Sequence, residues 1–243
     1  MALPENLTRI ADDLVFDLSR DRIQVLFAYG PPRSSRPPRD RMRGILESLR
    51  PELSAIRWGE QVHGRVVASL AAHPERRPEN VACVGRCDAL VTADTGVGLV
   101  VWTADCVPIL IAGGGVVAAV HSGWRGSVAD ITGAVVRRCI VEYGVQPQVL
   151  EAYLGPAISG SRYEVGREVI DGLRTLGVDE GRWRQGKHVD LRHFLAARLE
   201  NLGLNPAAIH TVDSCTASTP ELASYRRDGV IAGRQWSMIF RVG

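Results

Sequence analysis

The stretch TADCVPILIAGGGVVAAVHSGWRG, residues 103 to 126, sets a thiol and an imidazole at opposite ends of two apolar runs joined by three glycines. Residues 99–107, 108–112 and 116–122 are apolar enough to be central strands covered on both faces. A tight hairpin turn needs positive φ at both of its middle positions, which glycine adopts freely. With Gly113 and Gly114 in those positions, Cys106 falls directly opposite His121. Opposed side chains share a face with Cβ atoms about 4.5 to 5.5 Å apart. A thiolate and an imidazole there could reach one ion at about 2.3 and 2.0 Å. Two residues work against this register. Pro108 has no N–H to give a ladder, and Gly115 allows the turn to slide by one residue, a slip expected to put the two side chains on opposite faces.

The remaining cysteines and histidines have plainer readings. Cysteines at 83, 87, 106, 139 and 215 form an odd, loosely spaced set, which reads as reduced thiols rather than a disulfide framework. Cys83, Cys87, Cys139 and Cys215 suit the role of small buried hydrophobes. The segment CVGRC spaces Cys83 and Cys87 loosely like a metal knuckle, but no second pair follows at finger spacing. His73 lies in the polar AAHPERRPEN, His188 and His193 are five apart and off the spacing that stacks ligands on a helix, and His210 ends a strand start in AAIHTV. These four read as structural or solvated.

Bulk properties narrow the partners. With 243 residues and 45% hydrophobic content, the chain is long enough for one large core, and one domain over residues 1–243 is expected. Its 29 basic and 27 acidic residues give a net charge of +2, too balanced for a nucleic-acid-wrapping or membrane-coating surface but open to an anionic small molecule. The N-terminal MALPENLTRIADDLVFDL lacks a basic region followed by an apolar core, and no apolar stretch approaches roughly eighteen residues. A cytoplasmic protein with neither nucleic acid nor membrane as partner is expected. The absence of a long heptad pattern or a sticky edge points to a monomer or weak homodimer.

Several elements must position the thiol and the imidazole. DRIQVLFAYG (21–30) reads as a strand and runs into PPRSSRPPRD (31–40), a variable loop too rich in proline and arginine for the core. A short amphipathic helix follows over 41–49. Ser127 can cap a helix whose apolar positions Val128, Ile131, Val135 and Cys139 recur at three and four, ending at Gly144. Asp190 opens another, with Leu191, Phe194, Leu195, Arg198, Leu199 and Leu202 on or near one stripe and Gly203 beyond. Strands interleaved with helices give an α/β fold, a single domain with a mixed β-sheet layered by helices.

Six short blocks carry a family resemblance. WGEQVHG (58–64), CDALVT (87–92), TADCVPIL (103–110), HSGWRG (121–126), GPAISGSRYEVG (155–166) and SYRRDGVIAGRQ (224–235) occur in that order. On them the chain resembles the laccase-domain family, first labelled multicopper polyphenol oxidase and now understood as zinc-dependent purine nucleoside phosphorylases with adenosine deaminase activity. The resemblance implies a cysteine-hydrolase-like α/β fold and metal ligands at His63, Cys106 and His121, which would also be the catalytic residues. It implies zinc, with copper as the alternative, and purine nucleosides and phosphate as substrates.

Two nitrogens and one sulfur leave a tetrahedral zinc with an open position, the arrangement of catalytic rather than structural sites. Deamination then becomes metal-assisted hydrolysis with one further need, a proton carrier for the leaving amine, for which Asp105, Glu164 and Gln61 compete. In a regular strand Asp105 faces away from Cys106. Phosphorolysis asks for a held phosphate. Arg226, Arg227 and Arg125 are the candidates, because planar guanidinium forks take phosphate oxygens in pairs; Gln61 is the further substrate-binding candidate. GPAISG leading into YEVGREVIDGL is also similar to a glycine-bearing turn entering a helix, where backbone N–H groups bind anions.

The chain departs from the family pattern at three places. AYGPPRSSRPPRDRMRG replaces a usual arginine, paired glycines and Asn-Leu-Gly, so Arg33, Arg36 or Arg39 would have to restore lost charge. Ser161 and Arg162 stand where members often carry cysteine, and Ala223 where an aromatic residue commonly precedes Ser-Tyr. Two other functions fit the same residues. A copper-dependent phenol oxidase would need several coppers held by many histidines, and only six are present. A metal-free cysteine hydrolase would need only Cys106 and His121 in contact.

Overall fold

The structure is a computed structural model and describes residues 7–11, 13–29, 38–70 and 80–243. In chain order its strands are β1 (Leu7–Ile10), β2 (Asp13–Asp17), β3 (Ile23–Tyr29), β4 (Ala55–Glu60), β5 (Val67–Ser69), β6 (Val81–Arg86), β7 (Ala89–Thr92), β8 (Val97–Thr103), β9 (Val107–Gly113), β10 (Val116–Ser122), β11 (Glu151–Leu154), β12 (Arg184–Gln185), β13 (His188–Val189), β14 (Ile209–Thr211) and β15 (Gln235–Arg241). Its helices are α1 (Pro38–Ser48), α2 (Trp124–Val128), α3 (Ile131–Tyr143), α4 (Arg167–Arg174), α5 (Leu191–Asn201) and α6 (Tyr225–Asp228). None is long and apolar enough to cross a membrane.

The expected mixed sheet is present twice. One sheet has seven strands in the order β1-β2-β3-β15-β8-β4-β6, and a second has six in the order β14-β11-β9-β10-β7-β5. Each combines antiparallel pairs with parallel ones, β4 with β6 and β8 in the first, β11 with β14 and β5 with β7 in the second. Side-chain alternation explains how they stack. On β3, Val25, Phe27 and Tyr29 enter a core shared with Leu110, Ala112, Val117 and Ala119 of the other sheet, while Leu26 and Ala28 enter a core with Met42, Ile45 and Leu46 of α1. On β9 and β10 the other parity, Ile109, Ile111, Ala118 and Val120, packs on Val135 and Cys139 of α3 and Phe194 and Leu195 of α5. The result is four layers: α1, seven strands, six strands, and the α3/α4/α5 layer. Burial of β9 and β10 on both faces follows the sequence reading.

Four local expectations are corrected. First, residues 99–107 are not one strand. β8 ends at Thr103, Asp105 takes a left-handed φ of 84°, and β9 starts at Val107, so TADC is a crossover from one sheet to the other and Cys106 sits in its bend. Second, the hairpin turns on Gly114 and Gly115, with φ of 56° and 84°, and His121 pairs with Pro108 rather than Cys106. Sliding a two-residue turn by one position moves the pairing by two, so the parity survives and no side chain changes face. Pro108 is tolerated because its carbonyl accepts Gly155 N–H at 2.9 Å where β11 has already ended, and His121 N–H turns to the Asp88 carbonyl instead.

Third, the helix expected from Ser127 is two helices. Asp130 adopts φ 58°, breaks the chain's helical path, and caps α3 by accepting Gly133 N–H at 3.2 Å, while Ser127 lies inside α2 and donates to the Gly123 carbonyl. The C-terminal end at Gly144 is as expected, and so is the Asp190 cap of α5, which accepts His193 N–H at 3.0 Å. Fourth, α1 begins at Pro38 rather than Arg41, because proline's fixed φ suits a helix's first turn and Asp40 adds a favourable charge there. The loop is therefore shorter than 31–40, and residues 31–37, with Arg33 and Arg36, lie outside the described residues, as does His73. Arg39 lies on α1, beside a groove with Arg43, Arg50 and Asn80 on the outer side of the seven-stranded sheet, and so does not supply charge between the sheets.

Candidate active site and metal centre

His63, Cys106 and His121 come from different elements at the seam of the two sheets. His63 follows β4 of the first sheet, Cys106 occupies the crossover from β8 to β9, and His121 ends β10 of the second sheet. Each offers one ligand atom, and these atoms all lie within 4.8 Å of one another. Cys106 Sγ is 4.0 Å from His63 Nε2, and the two imidazole rings meet edge to face with centroids 4.8 Å apart. Gly123 makes this approach possible: a Cβ there would sit 2.8 Å from Cys106 Sγ and 3.1 Å from His63 Cδ2.

Asp88 organises the cluster. Fully buried at the start of β7, its carboxylate accepts the backbone N–H of His63 at 2.9 Å, of Gly64 at 2.8 Å and of Val62 at 3.3 Å. The same carboxylate lies 2.9 Å from His121 Nδ1. A carboxylate only accepts, so Nδ1 carries the proton and His121 Nε2 remains as the ligand atom. His63 itself sits at φ 60°, a conformation costing a non-glycine residue roughly 1–2 kcal/mol, and the Asp88 hydrogen bond holds it there. Burial opposes the Asp88 charge, yet the His121 and backbone hydrogen bonds win and keep its pKa below the ordinary carboxylate value.

The same neighbours polarise the ligands. Burial alone would raise the Cys106 thiol, but hydrogen bonds and charge from His121 and His63 bring it down to about 6. Burial alone would lower His121, but Asp88 and the Cys106 thiolate push it up to about 9. A thiolate and two imidazoles, one with its tautomer set by a carboxylate, are the donor set that zinc or copper takes. The residues fit the ion.

The crossover is braced from outside. Asp105 accepts Thr216 Oγ1–H at 2.6 Å and Arg226 N–H at 2.6 Å through its carboxylate and Ile158 N–H through its carbonyl, so it anchors two loops and the start of α6 to the bend that carries Cys106. Gln61 makes a reciprocal pair with the Trp102 backbone, both contacts 2.7 Å, and thereby continues the β4–β8 ladder one step beyond the strand. Arg227 spends its guanidinium on Asp228 and on the carbonyls of Thr216, Thr219 and Leu222. Arg226 and Arg125 are differently placed. Arg226 leans on the Tyr163 ring, 5.0 Å from its centroid, and touches the Glu164 carbonyl at 3.3 Å; Arg125 is exposed over Trp124, 4.3 Å from its ring centroid. Tyr163 is half-buried, and burial with the Cys106 thiolate pushes its phenol up to about 12.

Asp88, Gly123 and Tyr163 were not singled out by sequence reasoning, although each lies within a quoted block: CDALVT, HSGWRG and GPAISGSRYEVG. An acid adjoining a buried cysteine and a glycine two residues after a ligand were the available signals. Elsewhere, Gly166 precedes α4 with no side-chain capping hydrogen bond, and the Glu168 carboxylate curls back over that glycine. Ser161 and Arg162 are exposed, and Ala223 is buried with its N–H on Gln235 Oε1. His210 stacks on Tyr153, His193 is exposed beside Asp190, and His188 bridges to Glu164. Cys87 and Cys139 are buried as expected, Cys215 is partly buried, and Cys83 is exposed, which corrects its reading as a buried hydrophobe: it falls on the solvent side of β6.

Residues 39–242 match the family model described as multi-copper polyphenol oxidoreductase laccase, and the chain belongs to that family. A purine nucleoside phosphorylase of Streptomyces coelicolor is 38% identical over 198 residues, 78% of this chain and 78% of that protein. One from Deinococcus radiodurans is 39% identical over 158 residues, 63% of this chain; the match spans only 60% of the length of that relative. Among solved structures, YfiH of Bacillus licheniformis superimposes with a TM-score of 0.83 at 20% identity, over 98% of this chain and 100% of the other. YlmD of Geobacillus stearothermophilus gives 0.79 at 24% identity, over 99% and 100%. These two likenesses speak to the fold.

Proposed function

We propose that the protein is a metal-dependent purine nucleoside phosphorylase that also deaminates adenosine, using zinc, with copper as the alternative ion. One observation carries the reading: His63, Cys106 and His121, distant in sequence, bring their ligand atoms within 4.8 Å of one another. Its relatives, purine nucleoside phosphorylases, support the substrate class, purine nucleosides with phosphate. An ion held by these residues would supply Lewis acidity.

The chain's own groups do the rest. Asp88 fixes His121 and the His63 loop in place before substrate arrives, so little reorganisation remains. The Cys106 thiolate offsets part of the ion's charge. Arg226 and Arg125 take the anionic co-substrate, while Gln61 and Arg227 act as braces because their polar atoms are already engaged. Burial and the Cys106 charge keep the Tyr163 phenol protonated at neutral pH. Of the proton-carrier candidates, Asp105 has both carboxylate oxygens occupied, whereas Glu164 is exposed with only a 3.8 Å ion pair to Lys187.

The test is to incubate metal-loaded protein with inosine and phosphate, and separately with adenosine, and to look for ribose 1-phosphate, free base and ammonia. Product formation that disappears in Cys106→Ser together with the zinc supports the reading. A second reading, a metal-free cysteine hydrolase, is favoured by the Cys106 value of about 6 against about 9 for His121, which makes a thiolate–imidazolium pair at neutral pH. Activity retained in zinc-free protein would select it. Oxygen uptake with a phenol after copper loading would select an oxidase instead, although among the described residues this trio is the one cluster of its kind.

A further inference from the structure

The three ligands are not held in the same way. Asp88 reaches the loop of His63 and the ring of His121, and it leaves the third ligand, Cys106, to be placed by the chain on either side of it. On one side Val107 enters β9 opposite Ser122 of β10. On the other stands Asp105, at a φ of 84°. Its carboxylate oxygens take two different donors, Oδ1 the Thr216 hydroxyl and Oδ2 the Arg226 N–H, each at 2.6 Å, while its carbonyl takes Ile158 N–H at 3.1 Å.

Those donors are themselves fixed. Thr216 is fully buried, its N–H donates to the Ala157 carbonyl at 3.1 Å, and Ala157 N–H donates to the Ser214 carbonyl at 3.3 Å, so residues 155–158 and 212–216 run side by side beyond the end of the β11–β14 pair. From α5, the buried Arg192 guanidinium donates to the carbonyls of Val212 and Ser214. Arg226 N–H belongs to the first turn of α6, where Ser224 Oγ already accepts Arg227 N–H, and Asp105 supplies the second acceptor that turn needs. Bonds to an ionised carboxylate are stronger than neutral ones. The left-handed backbone alone does not call for an aspartate, because asparagine adopts it as readily and glycine more so. What asparagine lacks is the second acceptor oxygen, and glycine lacks both.

We propose that Asp105 is the positioning residue of the Cys106 ligand: its two carboxylate bonds, to the Thr216 hydroxyl and to Arg226 N–H, set the bend that aims the thiolate at an ion shared with His63 and His121. That role rests on the trio being a metal centre, and it gives Asp105 no proton to carry, since both oxygens are engaged. Cobalt in place of zinc makes the test spectroscopic, because the thiolate-to-cobalt charge-transfer band reports the bond to sulfur. The full chain and its variants Asp105→Asn, Asp105→Gly, Thr216→Val and Thr216→Ser are titrated with cobalt and, against a chromophoric chelator, with zinc, and circular dichroism follows each fold. Asparagine keeps the shape and the backbone preference but turns an NH₂ group toward one of the two donors; glycine keeps the backbone only. Zinc affinity should fall about tenfold in Asp105→Asn, Asp105→Gly and Thr216→Val, with the charge-transfer band weakened or shifted, and Thr216→Ser, which retains the hydroxyl, should restore both. Wild-type affinity and band in Asp105→Asn and Asp105→Gly would show that the backbone alone aims the thiolate and would overturn the proposal. So would a loss in Thr216→Ser equal to that in Thr216→Val, or a loss confined to variants whose circular dichroism has changed as well. Wild-type protein that takes up neither metal sinks the metal-centre reading and this role with it, an outcome distinct from metal uptake indifferent to residue 105.

Discussion

At the scale of single residues, Asp88 is the side chain on which the centre turns. Its two oxygens serve three backbone donors and one imidazole at once. Asparagine has the same shape but turns an NH₂ group toward donors, so Asp88→Asn should weaken zinc binding about 10- to 100-fold. Competition with a chromophoric chelator measures this, and an unchanged affinity would refute the role. The ligand pKa values make a separate prediction about protons. At pH 7.5 Cys106 is already a thiolate, its value being about 6, while His121, at about 9, still carries the proton that a metal ligand must lose. Zinc binding should therefore release about one proton from this pair near pH 7.5. The count should rise below pH 6 and fade above pH 9. Calorimetry in buffers of different ionisation enthalpy reads it directly.

At the scale of elements, the break between α2 and α3 is held by one acid. Asp130 caps α3 through Gly133 and takes a two-pronged grip from Arg198 of α5, with both contacts 3.0 Å. Removing it in Asp130→Ala strips the cap and leaves a largely buried guanidinium without its partner, at a cost of roughly 1–3 kcal/mol, measurable by urea denaturation. Its pH signature is defined. Burial raises the Asp130 pKa, but the Arg198 contacts outweigh it, so the folded value lies below the unfolded one of about 3.9. The stabilisation is complete above that unfolded value and drains away as pH falls through the folded one. The acid slope of unfolding should be shallower in Asp130→Ala, and an identical slope would count against the ion pair.

At the scale of the whole molecule, the ligands hang from two sheets that meet through one core. His63 follows β4 of the seven-stranded sheet and His121 lies on β10 of the six-stranded one, with Phe27, Val101, Leu110 and Ala119 packed between. Leu110→Ala should cost about 2–5 kcal/mol. It should also loosen zinc binding, because the two halves of the site lose a common reference. A metal bound across the seam should in turn stabilise the fold, by about 2.7 kcal/mol at a free concentration one hundred times its Kd. Thermal melts with zinc and with a chelator test this, and coincident melting temperatures would contradict a site that bridges the sheets.

Local pattern was enough for the apolar runs of β9 and β10, for a glycine hairpin between them though one residue out of place, and for the Asp190 cap, because each depends on neighbours within a few positions. The trio of ligands was reached through resemblance rather than through spacing, since the register that placed Cys106 opposite His121 is not the one adopted. The bend at Asp105 was invisible to periodicity. Its left-handed backbone is stabilised by Thr216 and Arg226, more than a hundred residues away. Asp88 likewise means nothing until folding brings the loop at His63 over it. The order of residues along the chain thus settled the buried apolar strands, the α5 helix and which types of side chain were available. Only long-range packing decided which of them share an ion, because contacts between separate sheets depend on stacking geometry that no local stretch encodes.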